Sequence, residues 1–285
     1  MKKNSLVIVL SLVLVFLCGC GQDYYLIEKQ YYRIRKEARK IYNNPFGSPP
    51  KELERVVGLF RDFVQQYPDN NLSLEAQFEI ARLYAVKEEY VKAREQLKSI
   101  IEKYSNAKTI LTEAIFLTGN TYQAEDNWNA ALAQYKKIIR DYPTTSKGLR
   151  MPMYIARYYE FKHQPDKMIA AYQEAARHYQ TLKSKSNNPL LNYILSGLLA
   201  RSYVQLKEWG NALATYQGML DEHMGKTRLT MDTVLMEMTL IYNRELKQKD
   251  KAKETLSLLL KNYPASRYAK VAQRLLKEMS KNEQP

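Results

Sequence analysis

Three histidines, His163, His178 and His223, and two cysteines, Cys18 and Cys20, are the side chains of this 285-residue sequence best suited to metal binding or nucleophilic attack. Zinc needs three or four N or S donors converging on one point, and a cysteine nucleophile needs a histidine base beside it. No histidine lies within four residues of another, so the spacing supplies neither arrangement, and each histidine is expected in a turn or on the surface. Gly225-Lys226-Thr227 has the ending of a phosphate-binding loop. That motif also needs a preceding strand and a glycine five residues earlier, where Leu220 stands. Aspartates and glutamates are scattered, most often three or four residues from a Lys or Arg, as on solvated helix faces. These residues predict no catalytic set, no metal site, no cofactor and no small-molecule substrate. The chain reads as something other than an enzyme.

Cys20 is the one residue placed for covalent modification. Lys2 and Lys3 open the chain, and Leu6 to Leu17 is an uncharged run of twelve residues. At about 1.5 Å per residue such a run reaches roughly 18 Å, short of the ~30 Å a spanning helix requires. Basic start, apolar run and small-residue break are the order of a secretory signal peptide. Leu17-Cys18-Gly19-Cys20 resembles the lipobox of bacterial lipoproteins, with Cys18 where Ala or Ser is usual. The resemblance implies cleavage after residue 19 and lipid on Cys20. Cys18 then leaves with the leader, so no disulfide remains and packing alone must hold the fold. The formal charge is +14, about +12 once Lys2 and Lys3 are gone. Export removes nucleic acid from the partners that such a charge suggests, leaving anionic headgroups, envelope polymers or acidic proteins.

The rest of the chain repeats itself. Tyr90-Val-Lys-Ala93-Arg-Glu-Gln-Leu97 is echoed by Trp128-Asn-Ala-Ala131-Leu-Ala-Gln-Tyr135, by Trp209-Gly-Asn-Ala212-Leu-Ala-Thr-Tyr216 and by Asp250-Lys-Ala252-Lys-Glu-Thr-Leu256. Met168 to Tyr172 is a degraded copy. The anchors Ala93, Ala131, Met168, Ala212 and Ala252 are spaced by 38, 37, 44 and 40 residues. Twelve residues before the first four stand Ala81, Gly119, Ala156 and Ala200, with Tyr84, Tyr122, Tyr159 and Tyr203 three further on. A small residue on each of two helices at a fixed offset permits close antiparallel packing, and the tyrosine fills the wedge between pairs. Tyr67-Pro68, Tyr142-Pro143 and Tyr263-Pro264 end units, because proline cannot continue a helix. Most of the 23 tyrosines, and Trp128 and Trp209 in the turns, are therefore expected to pack.

On these slots residues 53 to 280 resemble tetratricopeptide-repeat proteins, whose unit is about 34 residues of helix-turn-helix. The resemblance implies an all-α fold: an α-solenoid of about six helical hairpins plus a C-terminal capping helix. The expected layout is a leader at 1–19, a lipidated tether at 20–23, a first helical pair with a Pro-rich loop at 24–67, the repeat array at 68–264, and a capping helix and tail at 265–285. Leu182 to Pro189 is expected to be a loop that lengthens the fourth unit. The Tyr-Pro-ended units are similar to those of envelope tetratricopeptide lipoproteins, including BamD-type assembly factors and YbgF-type Tol-Pal proteins.

In such a stack the first helix of each pair lines the concave side and recognises peptides. The residue after each small slot, Arg82, Asn120, Arg157 and Arg201, then forms a ladder of donors suited to a carboxylate. Phe78, Phe116 and Met153 would add apolar contact. The expected partners are envelope proteins or peptides, acidic or with a free C-terminal carboxylate. The expected function is a scaffold assisting assembly of an outer-membrane or secretion complex; the alternative is a structural lipoprotein holding anionic polymer or lipid on its basic surface. Gly21, and not the Asp that signals inner-membrane retention in enteric lipoproteins, points to the periplasmic face of the outer membrane.

Overall fold

A computed structural model describes residues 24–226 and 228–281. The leader, Cys20 and its tether lie outside these residues. Among the described residues there is no strand, and the elements are helices in sequential pairs. Helix α1 covers residues 24–43 and pairs with α2 (Pro50–Gln66). Then come α3 (Asn71–Val86) with α4 (Tyr90–Lys103), and α5 (Lys108–Ala124) with α6 (Trp128–Asp141). Next are α7 (Ser146–Phe161) with α8 (Pro165–Lys185), and α9 (Pro189–Gln205) with α10 (Trp209–His223). Helix α11 (Asp232–Leu240) runs into a π-helical turn, Ile241–Glu245, before α12 (Lys249–Asn262) and the closing α13 (Ala269–Lys281). The chain divides into two compact units at Lys147/Gly148.

The five hairpins from α3–α4 to α11–α12 turn in the same way. Glu88, Asp126, His163, Lys207 and Lys247 all have positive φ, between 52° and 62°, and each lies five residues before an anchor. Such a left-handed residue lets the helix end double back. The amide three residues past the α3 end, at Glu89, donates to the Tyr84 carbonyl at 2.9 Å, and the Glu88 amide donates to Ala85. Asn127 to Tyr122, Gln164 to Tyr159 and Glu208 to Tyr203 repeat the bond at 2.9 Å. The recurring tyrosine therefore has two jobs: its ring packs, and its carbonyl closes the turn.

The last of these hairpins, α11–α12, breaks the twelve-residue offset. Its tyrosine, Tyr242, lies five residues before the left-handed residue instead of four. The π-helical turn absorbs the extra residue, and the Gln248 amide still reaches the Tyr242 carbonyl, at 2.8 Å. Thr239, fully buried, thereby takes the small slot of α11. One expectation about bounds is corrected. Helix α8 continues through Ser184 to Lys185, because lysines in the last turn suit the negative end of the helix dipole.

In the first unit, Tyr31, Ile34, Ala38 and Ile41 of α1 pack with Phe60 and Phe63 of α2 and Ile80 and Leu83 of α3. Phe78 and Ala81 of α3, Leu97 and Ile100 of α4 and Ala114 of α5 continue that packing. In the second unit, Ala200, Ala212, Tyr216, Leu235, Ala252, Leu256 and Ala272 belong to one cluster running from α9 to α13. The anchors Ala93, Ala131, Ala212 and Ala252 are wholly buried, as close helix packing demands.

Candidate functional site

Helices α3 and α5 are held apart by α4, and a pocket of about 340 Å³ opens between them. Leu97 lies on its α4 side, Ala81, Ala85 and Val86 come from α3, and Leu117 and Ala124 come from α5. Arg82 and Asn120, two of the four ladder residues, both line it. The Arg82 guanidinium donates to Glu79 at 3.0 Å and lies 5.7 Å from the Phe78 ring centroid. Glu79 is itself buried and accepts a second bond, 2.8 Å, from the Tyr42 hydroxyl of α1. Burial, with the charge of Glu79 beside it, pushes the Tyr42 hydroxyl far above the usual phenol range, so it stays a donor. One carboxylate thus fixes the direction of Arg82, while a guanidinium with five N–H groups keeps others to offer. Asn120 is held too, with its Oδ1 2.9 Å from the Tyr135 hydroxyl. Where α4 meets the far end of α5, Arg94 pairs with Glu125 at 2.6 Å and lies 4.4 Å from the Tyr122 ring centroid.

A second, smaller pocket, about 190 Å³, lies within the second unit between α9 and α11 over α10. Arg201 lines it together with Glu237, Tyr193 and Tyr216, so both signs of charge face the same space. Arg157 is exposed on α7, and it and Glu160 flank the Tyr172 hydroxyl, which burial, with Glu160 adding, pushes up to about 12. The structure therefore joins Arg82 to Asn120 and sets Arg201 against an acid.

The apolar members of the expected face sit elsewhere. Phe78 and Met153 are only 4% and 6% exposed, so both are packing residues and not an open surface. Each is large enough to fill space between helices that would otherwise stay empty. Met153 also accepts a bond from Ser202 at 3.3 Å. Phe116 is half-buried, with the Lys147 ammonium 3.8 Å from its ring centroid. His163 does sit in a turn, but His223 is buried against Tyr193, ring centroids 5.4 Å apart. Trp128 and Trp209 are half-buried in the first turn of α6 and α10; Trp128 packs on Tyr135 and Trp209 on the second-unit cluster. Among the described residues no three His, Cys, Asp or Glu side chains converge on a possible metal position.

Sequence reasoning missed Leu97. It occupies the slot four after the anchor, where the next three hairpins place Tyr135, Tyr172 and Tyr216, and it lines the larger pocket. The signal was present in the alignment of the repeats with one another.

Paired helices, recurring small slots and pockets between consecutive first helices define an α-helical repeat protein with recesses between repeats. Residues 75–107, 113–145 and 233–266, which cover most of the hairpins α3–α4, α5–α6 and α11–α12, match the tetratricopeptide repeat family. The chain is similar to the apo form of RapI, with 13% identity over 90% of this chain and 72% of that one and a TM-score of 0.47. It is similar to a tetratricopeptide repeat protein from Parabacteroides merdae, with 14% identity over 88% and 99% of the two chains and a TM-score of 0.36. It is also similar to the TPR2AB-domain:pHSP90 complex of yeast Sti1, with 12% identity over 89% and 99% and a TM-score of 0.33. No curated protein sequence matches the chain.

Proposed function

We propose that this chain is a membrane-anchored, non-catalytic scaffold for protein–protein interaction in the bacterial cell envelope. The observation that carries the reading is the pocket between α3 and α5, apolar along its walls, with Arg82 and Asn120 held in place by Glu79 and Tyr135. An extended or helical peptide segment places an aliphatic side chain in the recess and an acidic group or terminal carboxylate against Arg82. Fixed donors lower the ordering cost of such binding. The lipobox-like Cys20 supplies the anchor, and Gly21 after it favours the periplasmic face of the outer membrane. There the scaffold would assist assembly of an outer-membrane or secretion complex, the setting of the BamD-type and YbgF-type lipoproteins that its units resemble.

A photo-crosslinking residue at Leu117 tests the pocket in cells. The expected result is a discrete protein adduct at 117, lost in Arg82→Glu, with none from position 98, whose lysine is 77% exposed on α4. Adducts indifferent to Arg82 would remove the pocket from the proposal. Cys20→Ser is expected to shift the protein out of the membrane fraction.

A further inference from the structure

The tyrosines divide into two populations. Tyr135, Tyr172, Tyr179 and Tyr216 are at most 3% exposed, as their helical slots predict. Tyr24, Tyr25 and Tyr32, on the first two turns of α1 and just after, are 55%, 60% and 60% exposed, and Leu26 beside them is 56% exposed. Burying an aromatic ring is strongly favourable, so leaving three of them open within nine residues calls for something that covers them. They are interleaved with cations. Tyr25, Lys29, Tyr32 and Lys36 follow one another at spacings of four, three and four, with Arg33 beside them, and all are exposed. The Lys29 ammonium lies 5.7 Å from the Tyr25 ring centroid. The opposite side of α1 carries Tyr31, Ile34, Ala38 and Ile41 into the core, so this helix has two faces with different assignments.

Charge selects the occupant. Helix α1 has six cations, Lys29, Arg33, Arg35, Lys36, Arg39 and Lys40, against Glu28 and Glu37. Glu37 is occupied by Lys40 and Arg55, both at 2.8 Å. Tyrosine belongs at the headgroup level of a bilayer, where its ring is apolar and its hydroxyl wet, and lysine and arginine reach past it to phosphate. Each such cation gains about 1 kcal/mol near an anionic surface. Among the described residues no helix is long and apolar enough to cross a membrane. The face suits lying on a bilayer and not passing through it. Tyr24 stands four positions after Cys20, a reach of at most about 14 Å of chain.

We propose that the exposed Tyr25–Lys29–Tyr32–Lys36 face of α1 rests in the headgroup layer of an anionic phospholipid membrane. The proposal rests on the anchor at Cys20, which brings α1 to the lipid. It adds that the scaffold is held by its first helix in a fixed orientation, and does not swing from a tether.

The test uses the full chain reconstituted from membranes into vesicles of phosphatidylcholine with phosphatidylglycerol, or of phosphatidylcholine alone. Tyr25→Trp and Tyr32→Trp are expected to show added emission that shifts to the blue and is quenched by brominated lipid in the anionic vesicles only. Phe46→Trp, in the α1–α2 loop where the native ring is 82% exposed, is the control expected to stay water-like. Combining Tyr32→Trp with Lys29→Glu, Arg33→Glu and Lys36→Glu should lower the ratio of seated to unseated helix by about a hundredfold at low salt. Water-like emission at positions 25 and 32 in anionic vesicles overturns the proposal and gives the face to a protein partner. Equal quenching in both vesicle types overturns the headgroup recognition, since mere proximity to lipid explains it. The mass of the N-terminal peptide reports acylation separately. An unmodified Cys20 breaks the anchor reading even where the quenching stands.

Discussion

The hairpins α3–α4 and α5–α6 are neighbours in one compact unit, share the same register and end differently. In α5–α6 the small slot is Gly119, and the Tyr135 ring lies so close that a methyl group added at 119 would stand 2.4 Å from it. The ring fills the groove and its hydroxyl ties down Asn120. In α3–α4 the slot is Ala81 and the residue opposite is Leu97, shorter and without a hydroxyl, and there the 340 Å³ pocket remains. Between these two hairpins, volume at one position in the second helix separates a filled groove from an open one; in α9–α10 a smaller pocket persists beside Tyr216.

The largest effect should come from breaking the closed member. Gly119→Ala removes the ~1 kcal/mol that glycine costs in a helix, but forces a methyl group into a fully buried ring. We expect a net loss of about 1–3 kcal/mol by thermal or urea unfolding. Adding Tyr135→Leu should recover part of that loss, a coupling readable by a double-mutant cycle. Gly197→Ala in α9, where the nearest atom is the Met219 methyl at 4.0 Å, should instead stabilise by about 0.5–1 kcal/mol. A loss at both glycines would mean that space at the slot is not what distinguishes them.

The converse change sharpens the comparison from the open side. Leu97→Tyr should place its ring in the existing recess and abolish the adduct expected from position 117, with stability within about 1.5 kcal/mol of the parent. An undiminished adduct would move the binding face away from Leu97. A gain is expected at the turn that both hairpins share. Glu88→Gly relieves a left-handed glutamate and should stabilise by about 1 kcal/mol.

The smallest effect concerns pH. Burial holds the His178 imidazole below its usual pKa despite Glu174 nearby. A depressed histidine favours the neutral folded form, so its contribution is full above the unfolded value of about 6.5 and declines as pH falls below it. His178→Phe should flatten the slope of stability against pH just below that value and leave the neutral-pH slope unchanged.

Much of this was legible from repetition alone. Ala93, Ala131, Ala212 and Ala252 announced the helix contacts, and the small residues twelve and the tyrosines nine positions before the anchors marked the first helices. The turns were less legible, because Glu88, Asp126, His163, Lys207 and Lys247 take a conformation usually given to glycine or asparagine. Nothing in a charged side chain signals that, whereas the fixed offset from the anchor does. Of the candidate site, Arg82 and Asn120 line one pocket, while Arg157 and Arg201 lie apart from it. Phe78 and Met153 were misplaced because helical periodicity gives a face without saying what covers it. The same blindness hid the exposed tyrosines of α1, which share their spacing with buried ones.

The π-helical turn at Ile241–Glu245 carries one further consequence. Counted against the other four hairpins, it holds one extra residue, which the helix accommodates without losing the frame of its contacts. Removing one residue there, Asn243 for example, should let α11 run on as ordinary α-helix to its end. Thr239 and Tyr242 would then meet the twelve-residue and nine-residue offsets that the other four hairpins keep. Excising a residue from the middle of α5 or α9 would instead throw every later contact of that helix onto the wrong face.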